Sequence, residues 1–176
     1  MYLIVNRDSN INTILDLKNK RIGIDEKNEF GKIFFEKTYL DSTKKNIDNI
    51  ISKINYNKSN SLLLKTYFSK YDAAVITSYE YEVMLELNPA IKKKIKILKS
   101  SPQIFPHLLI LFHKDNKSKN IKIFKESFNK FFASDNKEEL FDILNIKELS
   151  QHKREEFQNL NHYYKDYIKL KNRYEK

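Results

Sequence analysis

The chain has 176 residues, a formal net charge of +10, 40 % hydrophobic and 13 % aromatic residues, and no cysteine. That apolar content can close a core, which argues against a disordered chain. The lack of cysteine excludes disulfides and thiolate metal sites. No run of about 18 apolar residues occurs, so no membrane insertion is expected.

In chain order, "YLIVNRD" (Tyr2–Asp8) reads as a short strand ending in turn residues. Ser9 or Asn10 is placed to cap a short helix carrying Ile11, Ile14, Leu15 and Leu17. Lys20–Ile24 is strand-like, and Lys32–Leu40 is helical, with Ile33, Phe34, Lys37 and Leu40 at helical spacing. The rhythm then repeats with a weak strand at Asn49–Asn55, a helix at Ser59–Lys70 and a buried strand at Asp72–Ser78. A helix over Tyr79–Asn88 is stopped by Pro89, and Lys94–Ser100 alternates isoleucine with lysine as a strand. Strands alternating with helices predict an α/β fold with a mostly parallel sheet and flanking helices. After "SPQIFP" comes one more strand, His107–Lys114, and then helices to the end. In the last of these, Phe157, Leu160, Tyr163 or Tyr164, Tyr167, Leu170 and Tyr174 recur every three or four residues. That single stripe is expected to dock on the body of the protein, since a coiled coil needs more heptads.

No catalytic motif is present. The histidines His107, His113, His152 and His162 have no ligand spacing, and there is no nucleophile elbow, dinucleotide loop or Walker loop. No enzyme activity, metal or cofactor is expected. The lysines are scattered apart from one run, "IKKKIKILK" (Ile91–Lys99), and arginine is limited to Arg7, Arg21, Arg154 and Arg173. Nucleic-acid surfaces usually add arginine, glycine and exposed aromatics, so a solvated lysine surface and no nucleic-acid partner are expected.

One stretch has the form of a ligand site. "IGIDEKNEFGKIFF" reads as strand, turn and helix start. In an open α/β sheet, ligands lie beyond the carboxyl ends of strands, against helix N-termini. There the backbone N–H groups of Glu29, Phe30 and Gly31 could face an anion. The alternative is an ordinary βα turn with Asn28 as its cap.

The order of these motifs resembles a known family. "YLIVNRDSNINTILDLKNKRIGI" resembles the segment by which type II periplasmic solute-binding proteins enter their second lobe. "YDAAVITSYEYEVMLELNP" with "KIKILKSSPQIFPHLLILFHKD" most resembles the phosphate/phosphite/phosphonate-binding (PhnD-like) branch of ABC importers. The resemblance covers roughly Tyr2 to Phe132.

It implies a type II binding-protein fold, with residues 1–104 as the second lobe. Residues 105–176 would be the return strand and helical C-terminal part of a first lobe whose N-terminal half is not in this sequence. It implies a small solute as partner, an anion or an amine-bearing molecule, together with an ABC permease and a periplasmic location. No signal peptide is expected, because "MYLIVNRDSN" lacks a basic n-region and a long apolar core. A second role with the same fold is the ligand-sensing input domain of a bacterial signalling protein.

The ligand-binding residues carried over are Asn28, Glu29, Phe30 and Gly31, Ser59 and Asn60 at the next helix start, and Asp72 before the central strand. The branch carries a Ser-Thr-rich "STSG" where this chain has Asn28 to Gly31, so the glycine matches and the hydroxyls do not. Glu29 would repel phosphate unless it points away.

Overall fold

The computed structural model describes residues 1–48, 54–57, 61–104, 112–113, 118–134, 137–144 and 154–174. The chain divides into two compact units. One comprises Met1–Phe105 with Glu155–Lys176, and the other Pro106–Arg154.

The first unit is built on β1 (Tyr2–Asn6), β2 (Ile22–Asp25), β3 (Ile54–Asn57), β4 (Ala73–Ile76) and β5 (Ile95–Ser100), in the order β3-β2-β4-β1-β5. β2 is parallel to β3 and β4, whereas β1 is antiparallel to both β4 and β5. β2 to β5 therefore share one direction and β1 runs against them. The expected mostly parallel sheet is present, with its reversed strand between two others.

Alternation along the strands supplies two cores. Leu3, Val5, Ala73 and Val75 face one layer, and Ile4, Ala74 and Ile76 face the other. Helix α1 (Glu29–Thr43) covers the first face through Phe34, Phe35 and Tyr39, joined by Ile11 and Leu17. The second face is covered by α2 (Leu62–Tyr67), α3 (Ser78–Leu87) and the single turn α4 (Ile91–Lys94). These supply Leu62, Leu63, Tyr81 and Ile91, and Tyr71 packs beside them. A Cβ on Gly23 of β2 would come within 2.8 Å of Leu62 and Tyr71 side-chain carbons. Only glycine lets α2 lie this close to the sheet.

Between β1 and β2 the expected helix is two 3-10 turns, Arg7–Ser9 and Ile14–Leu17. Asn6 and Thr13 begin them rather than Ser9 or Asn10. The Asp16 carboxylate accepts the N–H groups of Asn12 (2.9 Å) and Thr13 (2.8 Å) and the Thr13 hydroxyl (3.0 Å). These bonds, the Asn12 one foremost, hold the Asp16 carboxyl below its ordinary range.

The last helix, α7 (Gln158–Tyr174), packs on α1. Residues 158–174 thus join the first unit, whereas the sequence division at 104/105 grouped them with the return strand. The cause lies on α1. Glu36 is 3 % exposed, accepts a hydrogen bond from the Tyr167 hydroxyl, and has Lys171 Nζ at 3.5 Å. Lys37 Nζ stands 5.1 Å from the centre of the Tyr163 ring. Burial, then the bond to Glu36, pushes the Tyr167 hydroxyl up to about 12. The tyrosine stripe therefore docks.

In the second unit, α5 (Lys119–Phe132) and α6 (Lys137–Leu144) pack through Phe124, Phe128, Phe132 and Phe141, with Phe112 against Phe124. The expected strand at 107–114 lies outside the described residues except for 112–113, as does most of the expected strand at 49–55.

Candidate functional site: the carboxyl edge of the sheet

β2 and β4 are neighbours and run in the same direction, so their carboxyl ends lie side by side. Each leads directly into a helix. After β2 the turn passes through Glu26 and Lys27, with Asp25 Oδ1 accepting the Lys27 N–H at 3.0 Å. Asn28 then caps α1, its Oδ1 accepting the Gly31 N–H at 2.8 Å. A Cβ on Gly31 would stand 3.2 Å from Asn28 Cγ and 3.3 Å from Val75 Cγ1. Glycine at this place lets the cap and β4 close on the helix start. Glu29 is exposed and Phe30 is 38 % exposed, both in the first turn.

After β4, Thr77 caps α3 in a reciprocal box. Glu80 Oε2 accepts the Thr77 N–H (2.8 Å) and hydroxyl (2.9 Å), while the Glu80 N–H donates to Thr77 Oγ1 (3.0 Å). Two helix N-termini with their peptide dipoles therefore meet one edge, and each has a carboxylate in its first turn, Glu29 and Glu80.

The reversed strand begins at this edge, where Tyr2 pairs with both Ile76 and Ser100. The Ser101 N–H donates to the Met1 carbonyl at 2.9 Å, so the chain enters through β1 and leaves after β5 side by side. Asn28 Nδ2 lies 3.7 Å from Met1 Sδ, which puts the α1 cap against this crossing. The Tyr2 and Tyr81 rings meet edge-on at 5.7 Å. Burial raises the Tyr81 hydroxyl above its ordinary value.

Asn28, Glu29, Phe30 and Gly31 are thus together at the carboxyl end of the strand holding Ile22 and Ile24, as the sequence pattern predicts. One detail differs. The Gly31 amide, expected to face a ligand, is bonded to the Asn28 cap. Asp72 is not part of this cluster. It precedes β4 at the opposite, amino edge, where Arg21 holds it through N–H (2.8 Å), Nε (3.1 Å) and Nη2 (3.0 Å). Burial works to raise the Asp72 carboxyl, but the Arg21 bonds outweigh it and hold it below the ordinary carboxylate range. Ser59 and Asn60 lie outside the described residues.

Sequence reading passed over Thr77 and Glu80, although "TSYE" before an apolar run is a capping-box signature. It also passed over Gly23, whose need appears only once α2 is in place. Among the described residues, no group of three or more His, Asp or Glu side chains could hold a metal.

A sheet with four co-directional strands, one reversed strand by which the chain enters, and paired helix N-termini at the carboxyl edge is the architecture of a binding-protein lobe. Over residues 1–157 the chain matches the family of ABC-transporter phosphonate periplasmic substrate-binding proteins, and it belongs to that family. Comparison with curated protein sequences finds no match. Among solved structures, a binding protein component of an ABC phosphonate transporter from Pseudomonas aeruginosa matches with TM-score 0.74 and 16 % identity. That match covers 96 % of this chain and 57 % of the other, so this chain spans little more than half the length of its structural relative. The periplasmic aliphatic sulphonate binding protein SsuA from Escherichia coli matches at 18 % identity and TM-score 0.46, over 56 % of this chain and 31 % of that one. A putative sulfonate-binding protein from Methylobacillus flagellatus matches at 21 % identity and TM-score 0.44, over 56 % and 27 %.

Proposed function

We propose that the protein is the solute-binding component of an ABC importer, and that its solute is held at the carboxyl edge of the sheet between the starts of α1 and α3. The observation that carries this reading is the family match over residues 1–157, joined to a fold that brings two helix N-termini to the edge where the chain crosses. The protein acts by binding and release rather than by chemistry. Closure around the solute shifts an existing open–closed equilibrium, and an ABC permease receives the closed form. The periplasm is the compartment in which such a receptor works.

The solute is small, and anionic or amine-bearing. Helix N-termini favour an anion, while Glu29 and Glu80 favour an amine close to it. Titration calorimetry with methylphosphonate, inorganic phosphate and an aminoalkylphosphonate tests this. The reading expects heat with at least one, lost when Gly31 is replaced by a bulky residue. No heat with any of the three would remove the anion-binding reading.

A further inference from the structure

The amino edge of the sheet, opposite the candidate solute site, carries a second surface. α2 ends in Tyr67 and Phe68, whose rings meet edge-on at 5.1 Å. Phe68 is 65 % exposed. Lys94 Nζ, at the end of α4, lies 5.3 Å from the Tyr67 ring centre, so the two helix ends are joined. α4 buries Ile91 and presents Lys92, Lys93 and Lys94 to solvent. Lys70 is exposed just after Phe68, and Leu87, at the end of α3, is 74 % exposed. None of Lys70, Lys92, Lys93 or Lys94 is in an ion pair with a described residue. The carboxylates nearby in the chain are Asp72, which Arg21 holds, Asp8 in the turn after β1, and Glu86 in the last turn of α3.

We infer that this edge docks the protein on an anionic lipid bilayer, with Lys70 and Lys92–Lys94 at the headgroups and Phe68 and Leu87 in the acyl boundary. Charge complementarity selects the partner. Unpaired lysines beside exposed apolar side chains match a surface with negative headgroups over hydrocarbon. Nucleic acid fits less well. Leu87 cannot stack on a base, and of the two guanidiniums at this edge, Arg7 and Arg21, Arg21 is committed to Asp72. Docking is peripheral, since no described helix is long and apolar enough to cross a membrane. The solute site lies on the other edge and stays clear of the bilayer.

The test is co-sedimentation of the full chain with vesicles of phosphatidylcholine, with and without phosphatidylglycerol, at low and high salt. The expected result is binding to the anionic vesicles only, weakened by salt. Each lysine near an anionic surface strengthens binding roughly fivefold, so K92E/K93E/K94E, which removes three and adds three negative charges, should lower partitioning by at least about a hundredfold. Phe68→Ser should lower it by about tenfold. K27E/K99E/K165E, which makes the same change in net charge at exposed lysines away from this edge, two of them at the carboxyl ends of β2 and β5, should lower it far less. Circular dichroism should show every variant folded, since all these side chains are exposed.

Equal binding to both vesicle types, or to neither, overturns the inference. So does equal loss in the two triple variants, which would reduce the effect to net charge. Binding of duplex DNA through Lys92–Lys94 with no binding to vesicles overturns it in favour of nucleic acid.

Discussion

At the amino edge of the sheet, Asn6 reaches across 60 residues of sequence to the Thr66 carbonyl, and Arg21 reaches across 51 to Asp72. At the carboxyl edge, the helix starts are held by local caps, the Asn28 Oδ1 accepting from Gly31 and the Thr77 Oγ1 from Glu80, each three residues on. The first kind of bond ties the end of β1 to the end of α2, and the start of β2 to the start of β4, segments distant in sequence. It belongs to the fold, and its loss is felt everywhere. The second kind satisfies the orphan N–H groups of a single helix and can be exchanged for a ligand without unfolding anything. The proposed solute site would draw on the second kind, with the long-range bonds holding the sheet while the local caps exchange.

The largest expected break in that comparison comes from Asn6→Ala. Asn6 is 1 % exposed, and its side chain donates to the Thr66 carbonyl (2.9 Å) and Ser69 Oγ (3.0 Å) while accepting the Asp8 N–H (2.9 Å). Removing it takes away these three bonds and leaves a void at a buried site, and should cost about 2 kcal/mol. Urea unfolding checks this, with the midpoint moving at constant slope.

Asp72→Asn comes next. It should cost about 1–2 kcal/mol near neutral pH, the lower end following from the half-exposed Arg21. The carboxyl is held below its ordinary 3.8, so the stabilisation is present above that pH and fades as pH falls through the lower folded value. Thermal melts of the two proteins should therefore converge in acid. A gap that stays constant down to strongly acid pH would show that Arg21 does not recognise the charge.

At the other edge, Asn28→Ala should cost about 1 kcal/mol, as the loss of a single helix cap does. It also releases the Gly31 N–H. Calorimetry should then show phosphate or phosphonate bound at least as well as before, despite the lower stability. A parallel loss of stability and affinity would mean that the cap is part of the contact rather than a competitor for it.

The smallest effect is expected of Glu29→Ser. The side chain is exposed, so stability should stay within about 0.5 kcal/mol. Removing a carboxylate from the first turn should strengthen anion binding by at most roughly fivefold, and weaken binding of an amine-bearing solute by a similar factor. No change for either ligand would place Glu29 outside the site and leave Glu80 as the carboxylate that sets its character.

Much of this architecture is legible from short windows of sequence. The run Ala73–Ile76 is buried on both faces and is a central strand. The turn Asp25–Gly31 carries its own cap, because an asparagine three residues before a glycine needs no distant partner to make that bond. The resemblance to solute-binding proteins rests on the order of such windows, and order survives when individual residues do not. What the windows do not contain is direction and partnership. Nothing in "YLIVN" says that it runs against its neighbours, because apolar alternation reads the same for parallel and antiparallel pairing. Asp72 looks like a turn residue or a ligand contact until Arg21, 51 residues earlier, is placed beside it. α1 shows the same limit. Its spacing predicts one apolar face through Ile33, Phe34, Lys37 and Leu40, yet of these only Phe34 and Leu40 are fully buried, and Phe35, Glu36, Thr38 and Tyr39 are buried with them. The helix lies between the sheet and α7, and only that second layer explains a buried glutamate. Its partners, Tyr167 and Lys171, lie 131 and 135 residues further along the chain. Local periodicity and capping chemistry act within a few residues and are written in the sequence. Which surfaces meet is set by where the folded chain returns, and that was decided by the tertiary structure alone.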